Sequence, residues 1–313
     1  MTAQNLSPAQ ATAQITEMTP NPAQLPIQNV QVAELDRAAT TNLEVNGVNG
    51  YTWDGTLDGS VAPPIDSIAP GSTPVDGYLP LSFFGIAPIA GMGDESLVNF
   101  TVPAFQWGRE TYTRIGVDSN GYVVVGGGAG PDNNFVPQMF PNAARPNNVV
   151  APWWTDINLG GAGCPAPSCG ARIETLTDGL DTWIVVDWEN VPTFGFADDA
   201  HRHDFQIWFG INGDAHPDED VSLGYGDLGI ASTDGLNAGA ENRDGSSGIN
   251  ITPLPVSDAQ YVITTSGPLP GGKVVITFDA EGKVAGDYVL TARMTSNLTA
   301  GATSAQANIH VGP

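Results

Sequence analysis

The chain has 313 residues, and its 38 Gly and 25 Pro favour many short strands joined by turns over long helices. Asp and Glu number 34 against 10 Lys and Arg, and a formal net charge of -24 repels nucleic acid and anionic lipid, which excludes both as partners. No stretch approaches the roughly 20 apolar residues that a spanning helix needs, so no membrane insertion is expected.

Residues 1–25 are polar and rich in Ala, Gln, Thr and Pro. They read as a flexible arm or linker whose one local signal is a short helix, with Ser7 as N-cap and Pro8 at its first position. The start lacks a basic segment followed by an apolar run, so the expectation is either a cytoplasmic chain or one released from a longer exported precursor. Two strands are expected between Ile27 and Val48, then the Asn49-Gly50 turn and Tyr51 to Trp53. Ser60 to Thr73 carries Pro63, Pro64 and Pro70 and reads as irregular. Leu79 to Ala90, LPLSFFGIAPIA, is apolar and broken by Pro, and is expected to pack on a core ahead of a strand from Leu97 to Val102.

Arg109 to Asp156 is the organising stretch. Alternation through Val117 predicts a strand, Asp118-Ser119-Asn120-Gly121 a tight turn, and Tyr122 to Val125 the return strand, since Asn-Gly tolerates the positive φ such a hairpin needs. Asn147 to Trp154 reads as a third strand. In GCPAPSCG, Cys164 and Cys169 are read as a disulfide closing a small loop, which points to an oxidising compartment; a zinc site would need two further ligands, and no other Cys or His is close in sequence. Further strands are expected at Ala171 to Leu176, Thr182 to Trp188, Phe205 to Ile211, Val221 to Tyr225 and in four segments after Tyr261. In Thr182 to Trp188, alternation sends Trp183, Val185 and Asp187 one way and Ile184, Val186 and Trp188 the other. The period-two pattern throughout predicts an all-β protein built of antiparallel sandwiches.

The blocks DGYLPLSFFGI, GDESLVNFTVPAF, TYTRIGVDSNGYVVVGGG, RPNNVVAPWWTD, DGLDTWIVVDWENV, FQIWFGIN and GAENRDGSSG occur in one order. Together they resemble the C-terminal accessory region that follows the catalytic domain of secreted bacterial subtilisin-like serine proteases. The centre is also similar to the nidogen-like extracellular module, with its SNGY hairpin and its PNN-hydrophobic-AP-aromatic-x-D strand. The resemblance implies a nidogen-like β-sandwich over residues 75–254 and a smaller immunoglobulin-like β domain from residues 255–313, which segment 26–74 would join. It assigns Asn120, Gly121, Tyr122, Asn148, Pro152, Trp154 and Asp156 to a structural motif, with a hydrogen-bonding or cation role for Asp156. No GTS, DTG or HGT sequence is present, so the triad contexts of the proteases are missing and no enzymatic activity is expected.

Two acidic loops remain. Ala197 to Asp204 carries His201 and His203, read either as a zinc or copper pair or as a solvated loop. The second loop offers Asp214, Asp218 and Asp220 as candidate calcium ligands, without an EF-hand frame. The seven tryptophans are read mainly as core, against a carbohydrate-stacking alternative. No cofactor is required on this reading, and calcium is the one candidate. The expected role is a non-catalytic, extracellular or cell-surface binding region whose partner is another extracellular protein, a cell-surface polymer or a copy of itself. The competing reading is a structural or adhesive surface protein in which the residue 1–25 arm pairs with an edge strand of the next subunit.

Overall fold

Side chains that alternate across a strand need a cover on the apolar face, and this chain supplies it by pairing sheets. A computed structural model describes residues 1–161, 163–211 and 221–313. Its strands in chain order are β1 (Thr2–Gln4), β2 (Ala11–Met18), β3 (Ile27–Asp36), β4 (Ala38–Val45), β5 (Gly50–Leu57) and β6 (Ile65–Pro70). Next come β7 (Leu97–Trp107), β8 (Glu110–Asp118), β9 (Tyr122–Val125), β10 (Val149–Trp154), β11 (Gly170–Thr177), β12 (Thr182–Pro192) and β13 (Arg202–Gly210). The remainder are β14 (Val221–Leu228), β15 (Asn237–Glu241), β16 (Gly248–Asn250), β17 (Gln260–Thr265), β18 (Lys273–Ala280), β19 (Gly286–Ser296) and β20 (Ala302–Val311). The described fold is all-β, with antiparallel pairing in every sheet and short 3-10 turns as its helical content. No helix among the described residues is long and apolar enough to cross a membrane.

Two compact units divide the chain. The first combines Met1–Val61 with Leu269–Pro313. It stacks a three-stranded sheet, β1-β18-β3, on a five-stranded one, β20-β19-β2-β5-β4. Ala3, Ala13, Ile15, Trp53, Val274 and Ile276 fill the space between them. The segment expected to be an arm with a short helix is therefore β1 and β2, and β2 lies inside the sheet between β19 and β5. Its buried residues fall at every second position, Ala11, Ala13, Ile15 and Glu17, which is a strand period. Glu17 is tolerated on that face because it accepts a hydrogen bond from Tyr51 Oη at 2.9 Å.

The second unit, Ala62–Pro268, packs two six-stranded sheets, β16-β15-β10-β9-β8-β7 and β11-β12-β13-β14-β17-β6. Its core interleaves Phe105, Trp107, Ile115 and Val117 from one sheet with Trp188, Phe205, Phe209 and Tyr225 from the other. The boundaries differ from the sequence expectation at both ends. β6 forms in the stretch read as irregular, and it survives its prolines because it is an edge strand. β17 stays with this unit, whereas β18 to β20 belong to the first.

Both outer faces of this sandwich are also covered. Leu81 packs on Val185 and Trp208, with Trp183 beside them, while Ile184, Val186 and Trp188 face inward as the alternation predicts. The apolar LPLSFFGI segment is thus a strap across one sheet rather than part of the central core, and its Phe83 and Phe84 are exposed. On the other sheet Phe140 and Leu97 cover Tyr122, Val124, Val149 and Trp154.

Replacing Ile15, which has no exposed surface, tests the reassignment of the first segment. Ile15→Ala is expected to lower unfolding free energy by about 2–5 kcal/mol in urea titrations, the cost of a core truncation. A free arm would leave the transition unmoved.

Candidate functional site

The hairpin between β8 and β9 builds a polar site that ties several segments of the second unit together. Asp118 Oδ1 accepts from the Asn120 backbone N–H at 2.9 Å, which closes an Asx turn. Gly121 follows at φ +82°, and a Cβ there would lie 2.1 Å from the Trp153 carbonyl oxygen, so only glycine fits. Asn120 has no exposed surface. Its Oδ1 accepts from Ile157 N–H at 2.9 Å, and its Nδ2 reaches Glu95 Oε2 at 3.5 Å. Ser119 adds reciprocal bonds to Ser96, with N–H to carbonyl at 2.8 Å and hydroxyl from amide at 2.9 Å. One turn therefore fixes two other segments, the loop ahead of β7 and the end of β10.

Those segments carry carboxylates. One oxygen each from Asp94, Glu95 and Asp156 lies within 4.8 Å of the others. Asp94 and Glu95 are exposed, whereas Asp156 is 5% exposed and its Oδ1 has no hydrogen-bond partner. Among the described residues no Lys, Arg or His pairs with any of the three. Burial, with the Asp94 and Asp234 carboxylates nearby, pushes the Asp156 carboxyl up to about 6. Glu95 is raised by burial and by Asp156 and Asp94, against the opposing pull of the Asn120 amide. Glu95 also takes a positive φ of 46°, and its carbonyl accepts a hydrogen bond from Asn133 Nδ2.

The other motif residues sit around the same strands as structural groups. Tyr122 donates to the Asp132 carbonyl at 2.6 Å and packs on Trp154 with ring centroids 4.4 Å apart. Asn148, at φ +60°, accepts from Trp107 Nε1 at 2.9 Å and donates to the Val125 carbonyl at 2.8 Å. The Pro152 carbonyl accepts from Tyr225 Oη at 2.9 Å, and Trp154 Nε1 donates to the Asn134 carbonyl at 2.8 Å. Cys164 and Cys169 form a disulfide. Asp214, Asp218 and Asp220 lie outside the described residues. Asp156 was legible from its motif, but Asp94 and Glu95 were missed. They lie about sixty positions away in sequence, and no spacing rule links them to it.

The histidine pair does not form a shared site. Gly229 N–H donates to His203 Nδ1 at 3.2 Å, so Nε2 carries the proton toward Thr193 Oγ1 at 2.9 Å. Burial drives His203 down to about 3. His201 instead stacks on Phe196 at 3.7 Å and bonds Asp198 at 2.7 Å. The tryptophan rings of β10, β12 and β13 are mostly core: Trp153, Trp154, Trp188 and Trp208 are buried.

Asp187 is also displaced from the ordinary carboxylate range. Burial pushes it up to about 8, with the Leu81 amide and Tyr78 hydroxyl pulling the other way. Its two oxygens accept from Tyr78 Oη and Leu81 N–H, each at 2.9 Å, so it pins the strap rather than facing a cleft. Arg172 and Glu189 pair beside it at 3.1 Å.

Residues 89–212, from the loop ahead of β7 through β13, match a family model described as NIDO related. No curated protein and no solved structure matches the chain. The match supports a nidogen-like module over the central part of the second unit.

Asp187 makes a pH dependence testable. A carboxyl whose folded value is about 8, against an ordinary value near 4, contributes stability that is fully present below pH ~4 and lost as pH rises through 8. His203 acts in the opposite sense, since its unfolded imidazole still binds protons up to about pH 7.5 while the folded one does not, so it offsets part of the fall at the low end of this range. Glu241, also raised to about 8 by burial, adds a fall of the same sign as that of Asp187. Asp187→Asn is expected to remove about 1–2 kcal/mol of the stability lost between pH 6.5 and 8, read by urea unfolding at each pH. An identical slope in the variant would contradict the assignment.

Proposed function

We propose that the chain is a non-catalytic, extracellular binding region that serves as an accessory part of a secreted subtilase-like protein. The observation that carries this reading is the NIDO-related match over residues 89–212, on a sandwich whose motif residues Tyr122, Asn148 and Pro152 are spent on internal hydrogen bonds. The disulfide and the acidic composition support an oxidising, extracellular setting. The described histidines are held by bonds within the chain. His203 uses both ring nitrogens inside the fold, His201 is bonded to Asp198, His310 is paired with Asp287 at 2.7 Å, and His216 lies outside the described residues. Binding needs no resident cofactor on this reading, and the partner is an extracellular protein or a cell-surface polymer.

Self-association is the second reading, and one observation favours it. β20 is the outer strand of the five-stranded sheet, is exposed along most of its length, and lacks the charged residues and proline that blunt sheet edges. The N-terminal segment does not serve as a free donor for such pairing, because β1 and β2 are already paired within their own unit.

The newly synthesised polypeptide in the source organism separates the readings. Probed with an antibody to the second unit on a denaturing gel, it is expected to be longer than 313 residues and to react with a fluorophosphonate through its added part. A newly made chain of this length without serine reactivity, running as a high-mass native complex, would overturn the accessory reading in favour of assembly.

A further inference from the structure

The carboxylates of Asp94, Glu95 and Asp156 converge from loops that the fold holds in place, yet no described cation balances them. We propose that these three residues bind a hard divalent cation, of which calcium fits best. Three facts carry the assignment. First, the donor atoms are close enough to share one ion, since an oxygen of each lies within 4.8 Å of the others. Second, Asp156 is 5% exposed and keeps an Oδ1 with no hydrogen-bond partner while its carboxylate faces Asp94 and Glu95. A buried carboxylate oxygen is costly to leave unpaired, and a cation would satisfy it.

Third, the donor set is all oxygen. Neither a His nor a Cys belongs to the cluster, which disfavours zinc and copper, the metals that prefer imidazole and thiolate. Calcium takes six to eight oxygens in flexible geometry, and three carboxylates supply roughly three to six of them. Magnesium demands near-ideal octahedral geometry at shorter distances, which carboxylates brought together from separate segments meet less readily than calcium's looser shell. Asn120 is a positioning residue here, because its Nδ2 reaches Glu95 while its Oδ1 holds the backbone beside Asp156.

The test is calorimetric titration of the chelator-treated full chain with calcium chloride, together with thermal melts. The expected result is one saturable site with Kd on the order of 10⁻⁴–10⁻³ M, as in extracellular calcium modules, and a melting temperature that rises with calcium and falls again with chelator. Asp94→Asn combined with Glu95→Gln, both at exposed positions, is expected to weaken binding at least tenfold, and Asp156→Asn to do the same. Should Asp156→Asn not fold, the exposed pair decides alone. Absence of heat and of any thermal shift up to ~10 mM calcium would overturn the proposal. So would binding that survives the Asp94/Glu95 changes. Neither outcome bears on attachment to a protease, which the precursor experiment reads independently.

Discussion

The side chain of Asn120 is the constraint on which the loop end of the larger unit depends. It is wholly buried, so both ends of its amide must be satisfied inside the protein. One end accepts from Ile157 N–H and the other reaches Glu95. The residue thereby joins a hairpin turn to two chain segments that are distant in sequence. Gly121 makes the arrangement possible by letting the turn lie against the Trp153 carbonyl, where a Cβ has no room. The acidic cluster is a consequence: the same bonds that close this end of the sandwich bring Asp94 and Glu95 beside Asp156.

A second consequence concerns how the sheets are shielded. β12 and β13 are covered on both faces, by the facing sheet on one side and by the strap on the other. The strap is held by polar bonds as well as by Leu81, through Asp187 and through Gln206, which pairs with the Leu79 backbone in both directions at 3.2 and 3.0 Å. Gln206 mimics a neighbouring strand's backbone, so an irregular segment can cross the sheet without stranding its amides. Burial opposes the charge of Asp187 while the two donated hydrogen bonds support it, with burial the larger effect.

Much of this was legible in the sequence where a local rule applies. Asn-Gly gave the β8–β9 hairpin, period-two alternation gave the strand content and the two faces of β12, and the close Cys pair gave the disulfide. What was misread had weak or misleading local chemistry. β2 buries two alanines and a glutamate beside Ile15, so its inward face looks polar until Tyr51 is seen to bond Glu17. β6 is hidden by flanking prolines that an edge strand tolerates. The division between β17 and β18 falls inside a run of similar strands, where only tertiary pairing separates them. The cluster of Asp94 and Glu95 with Asp156 is likewise a product of pairing, and no window along the chain contains it.

The most direct test of the role given to Asn120 is amide hydrogen exchange at Ile157, read by NMR on the full chain. Ile157 lies just beyond β10, and its amide is bonded to the Asn120 side chain rather than to a neighbouring strand. Exchange as slow as that of the β9 and β10 core amides is predicted, because breaking this bond requires opening the buried turn. Exchange at the rate of an exposed loop amide would contradict the account, and with it the physical basis for holding the acidic cluster together.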